Sequence, residues 1–432
     1  MNDQRKQEGY SRRGFMKGAA AGAVSLAAAS TFNPRAFAAG SDTIRLGLIG
    51  CGGRGTYDTG NCLKATQGVE LVAMGDMFKD RLDRCRQTLT KNIPDKVKVT
   101  DEKCFVGWDA HKKVLATDVQ WVILTEPPHF RPSHLKAAIE AGKHVFMEKP
   151  VAVDPVGVHS VIKSSELAEQ KGLTIVAGTQ MRRISHLGEA ARRIHDGAIG
   201  EILGGQCVRL GDGMRSWGPQ QREAGWSDME WQLRRWLFMT WLSGDFIVEM
   251  HIHNLDVMNW LIGAHPVQCI GMGGRQARNE PQYGDSFDHF AVEYEYPNGL
   301  RIEYMGSQID GMTNRQDQRL VGTKGLMYTD SGRVVIQGQN ASEIAWDKND
   351  PCLKQHADQV EAIRRDQRLN EGRRIAESTL TSIMGRMSAY TGRALKWDWA
   401  MEASKLDLTP PSYTFGDLPL PPVAVPGKTP LI

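Results

Sequence analysis

Ile44-Arg45-Leu46-Gly47-Leu48-Ile49-Gly50-Cys51-Gly52-Gly53-Arg54-Gly55 is the stretch on which the fold turns. Its first half is a short apolar run of strand length, and it leads straight into glycines spaced G-x-G-x-x-G. A chain with 45 glycines yields such a spacing by chance, so the surroundings decide its meaning. Downstream, the pattern predicts a helix toward Ala65 and then a second apolar strand, Val69 to Met74, closing on Gly75-Asp76. Strand, glycine loop, helix, strand and acid follow in the order a dinucleotide site requires. Gly50 permits the tight turn, Gly52 lets main chain approach a pyrophosphate, and Gly55 lets helix and strand pack closely. Gly53 and Arg54 open the helix, whose free N–H groups and dipole attract phosphate. Asp76 would accept hydrogen bonds from the ribose hydroxyls of NAD and repel a 2′-phosphate, which places NAD ahead of NADP. Lys79 and Arg81 stand close enough to keep NADP open.

Upstream of this unit, Ser11-Arg12-Arg13-Gly14-Phe15-Met16-Lys17 resembles the twin-arginine export consensus. A weakly apolar Gly/Ala-rich run, Gly18 to Ser30, follows, and Ala36-Phe37-Ala38 offers small residues to a peptidase. The run is too short and too weakly apolar to span a bilayer, which takes about 20 residues. Residues 1–40 are therefore expected to be a removed signal, the twin-arginine machinery a partner, and the periplasm the destination, with no membrane anchor. The 432 residues carry a net charge of +3 and 41% apolar content, with charges scattered along the chain. That composition excludes the one-sided basic surface of a nucleic-acid binder. Seven cysteines without a C-x-x-C pair argue against a zinc ribbon or a redox dithiol.

Further along, Trp121-Val122-Ile123-Leu124 reads as a buried parallel strand, followed by Thr125-Glu126-Pro127-Pro128-His129, a helix over Ser133 to Ala141, and Gly142-Lys143-His144-Val145-Phe146-Met147-Glu148-Lys149-Pro150. Together with Gln180-Met181-Arg182-Arg183, His253-Asn254-Leu255-Asp256 and Val321-Gly322-Thr323-Lys324-Gly325, this resembles the Gfo/Idh/MocA family, from about Thr43 to about Asp398. The resemblance implies a sugar or cyclitol oxidoreductase. In that family the lysine of Glu-Lys-Pro holds the reacting hydroxyl, a role that falls here to Lys149, with Glu148 beside the cofactor. Thr125, Pro127 and His129 occupy the loop after a parallel strand, where ligands of open α/β sheets bind.

Hydride transfer from a secondary alcohol needs a group that holds the hydroxyl and a base that takes its proton. An ammonium at Lys149 would stabilise the alkoxide-like charge. Apolar residues at Phe246, Ile247 and Met250 predict a helix that puts Glu249 and His253, four apart, on one face. The carboxylate would orient the imidazole and raise its pKa, making His253 the general base. These positions match the family's Asp and His pair, with Glu249 in place of Asp. Read as a strand instead, Glu249, His251 and His253 would share one side and could bind a metal, an alternative that helical spacing disfavours. Gln180 and Arg182 are candidate sugar contacts, or a solvated helix start, and Asp256 a substrate contact or cap. Six of the eleven tryptophans fall between Trp217 and Trp260; each suits a sugar face but is more often core.

The fold class expected is α/β: a Rossmann domain over 41–165, then an α+β domain over 166–408 with a mostly antiparallel, open-faced sheet. Strands are predicted at Gln206–Leu210, Phe290–Tyr296, Leu300–Tyr304 and Arg333–Gln337, and one long helical stretch from about His356 to Tyr390. In the resembled family the open face builds oligomers, so a homodimer or homotetramer is expected. Residues 409–432 form a Pro-rich arm. An exported enzyme has no sustained NAD supply, so a tightly held, internally recycled cofactor is expected. Two alternatives stay open: glycoside cleavage through a transient 3-keto sugar, whose known family members usually lack the Glu-Lys-Pro lysine, and a nucleotide- or sugar-binding protein without catalysis.

Overall fold

The computed structural model describes residues 43–214, 216–219, 221–330 and 332–432. The expected export signal lies outside the described residues.

The first unit is a six-stranded, wholly parallel sheet. Its strands are β1 (Ile44–Ile49), β2 (Val69–Asp76), β3 (Cys104–Val106), β4 (Trp121–Leu124), β5 (His144–Met147) and β6 (Ile175–Ala177), in the order β3-β2-β1-β4-β5-β6. All four residues of β4 are buried, as a central parallel strand covered on both faces requires. The crossovers are α1 (Gly53–Ala65), α2 (Lys79–Asn92), α3 (Ala110–Leu115), α4 (Arg131–Glu140) and α5 (Pro155–Gln170). The order reverses between β1 and β4, which is the topological switch point of this architecture. The sheet runs past the expected boundary at residue 165, because α5 continues to Gln170 and delivers β6.

The second unit is a nine-stranded sheet made of β7 (Ile202–Gly211), β8 (Gln268–Gly274), β9 (His289–Glu295), β10 (Arg301–Gln308), β11 (Arg315–Gly322), β12 (Gly325–Asp330), β13 (Arg333–Gly338), β14 (Ser342–Ala345) and β15 (Leu395–Lys396). Every pairing is antiparallel except β7 with β10. Along β10 exposed and buried residues alternate: Ile302 and Tyr304 enter the core, while Arg301, Glu303 and Met305 face outward. The α/β class and the mostly antiparallel second sheet thus match the sequence reading.

The long helix expected over His356–Tyr390 is two helices, Pro351–Arg364 and Gly372–Thr391. Between them the main chain of Leu369 and Glu371 hydrogen-bonds Ile175, covering the open edge of β6. An unpaired edge strand takes whatever backbone partner is near, and here it interrupts the helix. The second helix packs on both β8 and α5 and joins the two sheets into one body. Residues 409–432 carry no helix or strand and lie on their own chain: Leu418 and Leu420 pack with Phe78, Trp108 and Trp241. Among the described residues no helix is long and apolar enough to cross a membrane.

Candidate active site

The glycine loop opens on a cavity of about 1150 Å³ at the carboxyl edge of the parallel sheet. Gly50 has φ +93°, and a Cβ there would meet the Glu126 amide nitrogen at 2.4 Å. A Cβ on Gly55 would strike the Gly50 carbonyl at 2.0 Å, so only glycine lets α1 approach β1 this closely. By contrast, nothing lies within 4 Å of where Gly52 and Gly53 would carry a Cβ, and both border the cavity. That is the open, N–H-lined cradle a pyrophosphate fits. Asp76 at the end of β2 is aimed by two main-chain donors, Cys51 N at 2.6 Å and Phe78 N at 2.8 Å, and borders the same space. Arg81 borders it as well, whereas Lys79 is paired outward with Asp83. Thr125 Oγ1 donates to the Gly50 carbonyl at 2.6 Å, and Pro127 completes the β4 side. The described residues therefore fit a nicotinamide dinucleotide.

One strand further along the sheet stands the Glu-Lys-Pro turn. Glu148 Oε1 accepts from Arg54 Nη2 at 2.6 Å, and Arg54 Nε also binds Asp58 at 2.9 Å. Arg54 thus ties the glycine loop to the turn while bordering the cavity. Gly178 makes room for the Glu148 carboxylate; a Cβ there would meet Oε1 at 2.1 Å. Buried Arg131 clamps the same corner, donating to the carbonyls of Pro150 and Glu126. The Lys149 ammonium reaches across to the second unit and donates to Glu249, at 2.6 Å to its carbonyl and 2.9 Å to Oε1.

Here the structure corrects the expected pairing of Glu249 with His253. Glu249 ends a one-turn helix, Phe246–Glu249, and His253 lies in the next, Ile252–Ile262, so the two do not share a helical face. Glu249 spends one carboxylate oxygen on Lys149, and His253 Nδ1 is buried without a partner. Burial, first, and then the charges of Lys149 and Arg209 hold the His253 pKa well below its ordinary value, the opposite of the expected rise. The segment is not a strand, so Glu249, His251 and His253 do not line up as metal ligands; His251 instead bonds Tyr304 at 2.6 Å.

Other expected contacts are also engaged elsewhere. Asp256 is fully buried and held by Arg182 at 2.7 Å, Arg374 at 3.0 Å and Ser378 at 2.7 Å, so its carboxylate is engaged within the protein, as are Nε and Nη2 of Arg182. Gln180 keeps a buried Oε1 without a partner. Like Glu148, Lys149, Glu249 and His253, His129 is not among the residues that line the cavity. It bonds Tyr413 of the C-terminal arm at 2.7 Å and packs on Trp241, and burial lowers its pKa to about 4. The tryptophans divide: Trp217, Trp226 and Trp236 border the cavity, Trp241 is buried, Trp231 stacks on Trp226, and Trp260 lies under Arg182. The sequence reading missed Glu126 and His134, which border the cavity from β4 and α4. An acid directly after an apolar strand was the available signal.

The profile "Oxidoreductase family, NAD-binding Rossmann fold" matches residues 44–179, and the "GFO/IDH/MocA C-terminal domain" matches residues 188–328. A 2,7-anhydro-N-acetylneuraminate hydratase of Escherichia coli (strain K12) is 29% identical over 228 residues, covering 51% of this chain and 55% of that protein. An inositol 2-dehydrogenase of Serratia proteamaculans (strain 568) is 30% identical over 266 residues, covering 60% and 66%. The chain thus spans between about half and two thirds of these relatives. Among solved structures, an aldose-aldose oxidoreductase from Caulobacter crescentus aligns with a TM-score of 0.64 over 82% of this chain and 99% of that one, at 18% identity. A scyllo-inositol dehydrogenase from Lactobacillus casei with bound NAD(H) and scyllo-inositol gives 0.62 over 82% and 99%, also at 18%; such likenesses speak for the fold. Two profiles in tandem over most of the described chain, on this fold, make the protein a member of the Gfo/Idh/MocA family of oxidoreductases.

Proposed function

We propose that the protein oxidises a secondary hydroxyl of a sugar, glycoside or cyclitol with NAD held in the glycine-loop cavity. The observation that carries this is the Lys149 ammonium, fixed on Glu249 in a buried site near His253, whose Nδ1 has no partner. The nicotinamide, when bound, supplies the hydride acceptor. Lys149 holds the substrate oxygen and stabilises its growing negative charge, and neutral His253 takes the hydroxyl proton. Asp76 favours NAD over NADP by accepting ribose hydroxyls. The twin-arginine motif supports export to the periplasm, where a cofactor that is kept and recycled within the cycle suits the supply. The outer face of the second sheet, with Ile270, Met272, Met305 and Val321 exposed, supports a homo-oligomer. The test is to incubate purified protein with aldoses, glycosides and inositols while following nicotinamide absorbance; reduction by none of them would remove the reading.

A second reading is favoured by the hydratase relatives, whose names place anhydro-sugar chemistry within this similarity. In it, transient oxidation of a hydroxyl to a ketone acidifies the adjacent C–H, elimination breaks the C–O bond on the next carbon to leave an enone, water adds across its C=C, and hydride returns to the ketone. Product analysis separates the two, since this route releases or hydrates a sugar with no net change in the nucleotide.

A further inference from the structure

Glu126 poses a problem of energetics. It is 7% exposed, both carboxylate oxygens lack any hydrogen-bond partner, and it borders the nucleotide cavity. A buried carboxylate without donors is expensive, so the site is built for donors that arrive from outside the protein. His134 Nδ1 lies 3.3 Å from Oε1, and the His134 ring stacks at 3.9 Å on His111, whose pKa burial lowers to about 4. Buried Arg131 donates to the Glu126 carbonyl and its charge faces the Glu126 carboxylate without a hydrogen bond to it. Among the described residues no cluster is arranged to hold a metal.

Position says which donors. Along the sheet Asp76 ends β2, the glycine cradle follows β1, and Glu126 follows β4, so the two acids flank the cradle symmetrically. Strands two apart are separated by about 10 Å, the scale of a diphosphate with a ribose at each end. A phosphate would be repelled by either acid; a cis-diol would be held by both. Lys149, on the next strand, marks the Glu126 side as the reacting end. Resting on the nicotinamide-dinucleotide reading above, we infer that Glu126, oriented by His134, holds the cis-diol of the ribose on the nicotinamide side.

The test is a binding cycle on nucleotide-stripped full-length protein. The probes are NAD, ADP, and an NAD analogue lacking the 2′- and 3′-hydroxyls of the nicotinamide ribose. Wild type should bind the analogue about 10-fold more weakly than NAD, as loss of bonds to a charged acceptor predicts. Glu126→Gln, which keeps one acceptor oxygen but loses the charge, should weaken NAD by a smaller factor, leave ADP within twofold, and shrink the analogue penalty. His134→Asn, a change in a positioning residue, should weaken NAD by a smaller factor and leave the analogue unaffected. Equal binding of NAD and analogue by wild type, which needs no variant to fold, overturns the assignment. So does an analogue penalty undiminished in Glu126→Gln. Wild type that binds neither NAD nor ADP overturns the dinucleotide reading itself, and the assignment with it.

Discussion

The Lys149–Glu249 pair joins the two units at the site, and a double-mutant cycle measures it directly. The ammonium and carboxylate are 2.9 Å apart with side chains only 9% and 7% exposed. Removing one partner of such a buried pair leaves an uncompensated charge, at about 3–5 kcal/mol. Lys149→Met, which strands the Glu249 carboxylate, should lose about that much. Glu249→Gln should lose less, about 1–3 kcal/mol, because the ammonium keeps the Glu249 carbonyl at 2.6 Å. The double variant has no charge left to strand, so its loss should fall short of the sum by about 2 kcal/mol or more. Urea unfolding followed by tryptophan fluorescence gives the three differences. Single-turnover reduction of bound nucleotide gives the chemistry: Lys149→Met should slow it at least about 10²-fold, and adding Glu249→Gln should cost little more. A second cycle pairing Glu249→Gln with His253→Ala should show much weaker coupling. Additive losses at Lys149 and Glu249, strong Glu249–His253 coupling, or near-normal reduction in Lys149→Met would each refute this account.

Asp76→Ser should shift preference toward NADP by removing the charge that opposes a 2′-phosphate while Arg81 remains at the cavity, as titration of both nucleotides will show; a wild type that already prefers NADP contradicts it. Dialysed protein, once denatured, should release close to one nicotinamide nucleotide per chain, and the loaded form should melt higher than a stripped one. His356 sits between Trp121 and Phe146 with both ring nitrogens unpartnered, and burial lowers its pKa to about 3. The unfolded chain therefore binds a proton that the native chain refuses between about pH 6.5 and 3, so stability is lost as pH falls through that window; His356→Leu should narrow the gap between melting temperatures at pH 7 and pH 5.

What the sequence made legible is the part fixed by local pattern. The glycine spacing, the apolar strand lengths and the closing acid sufficed for the parallel unit, because tight turns and buried parallel strands admit few residue types. The Glu-Lys-Pro turn was readable for the same reason. Partner choice was not. Nothing in the spacing of Glu249 and His253 reveals that the helix breaks at Met250 and His251, where Arg209 from β7 bonds the Met250 carbonyl and Asn254. Nor does it reveal that a lysine 100 residues earlier in the chain takes the carboxylate. Arg182 and Asp256 looked like two free polar groups and are one buried network with Arg374 and Ser378, brought in by a helix more than 110 residues downstream. His129 fell on the expected loop, yet the C-terminal arm claims it. Charge pairing over long sequence separations is decided by packing, which periodicity does not encode.

That rearrangement has a consequence for the acid–base step. A carboxylate facing His253 would raise its pKa, and activity would then fail as pH dropped below about 7. In the structure burial, reinforced by the charges of Lys149 and Arg209, holds the imidazole's pKa well below 6.5. It is thus already neutral, in the form that accepts a proton, across the whole neutral range. Under the proposed reaction such an imidazole is a weak base, so the alcohol would have to be acidified for the transfer to run; the Lys149 ammonium would supply that by favouring alkoxide over alcohol in a site where charges are poorly screened. On that reading base and cation are coupled: Lys149 adds to the depression that burial imposes on His253, and it would also make a weak base sufficient. The pH profile of the single-turnover rate should stay flat from pH 8 to about pH 6.5, with any acid limb below the ordinary histidine value. Substituting Lys149→Met removes a cation that opposes protonation, so the limb should move to higher pH as the rate drops. A wild-type limb at or above pH 7 that stays in place in Lys149→Met would show that His253 is not the group being titrated, or that Glu249 faces it after all.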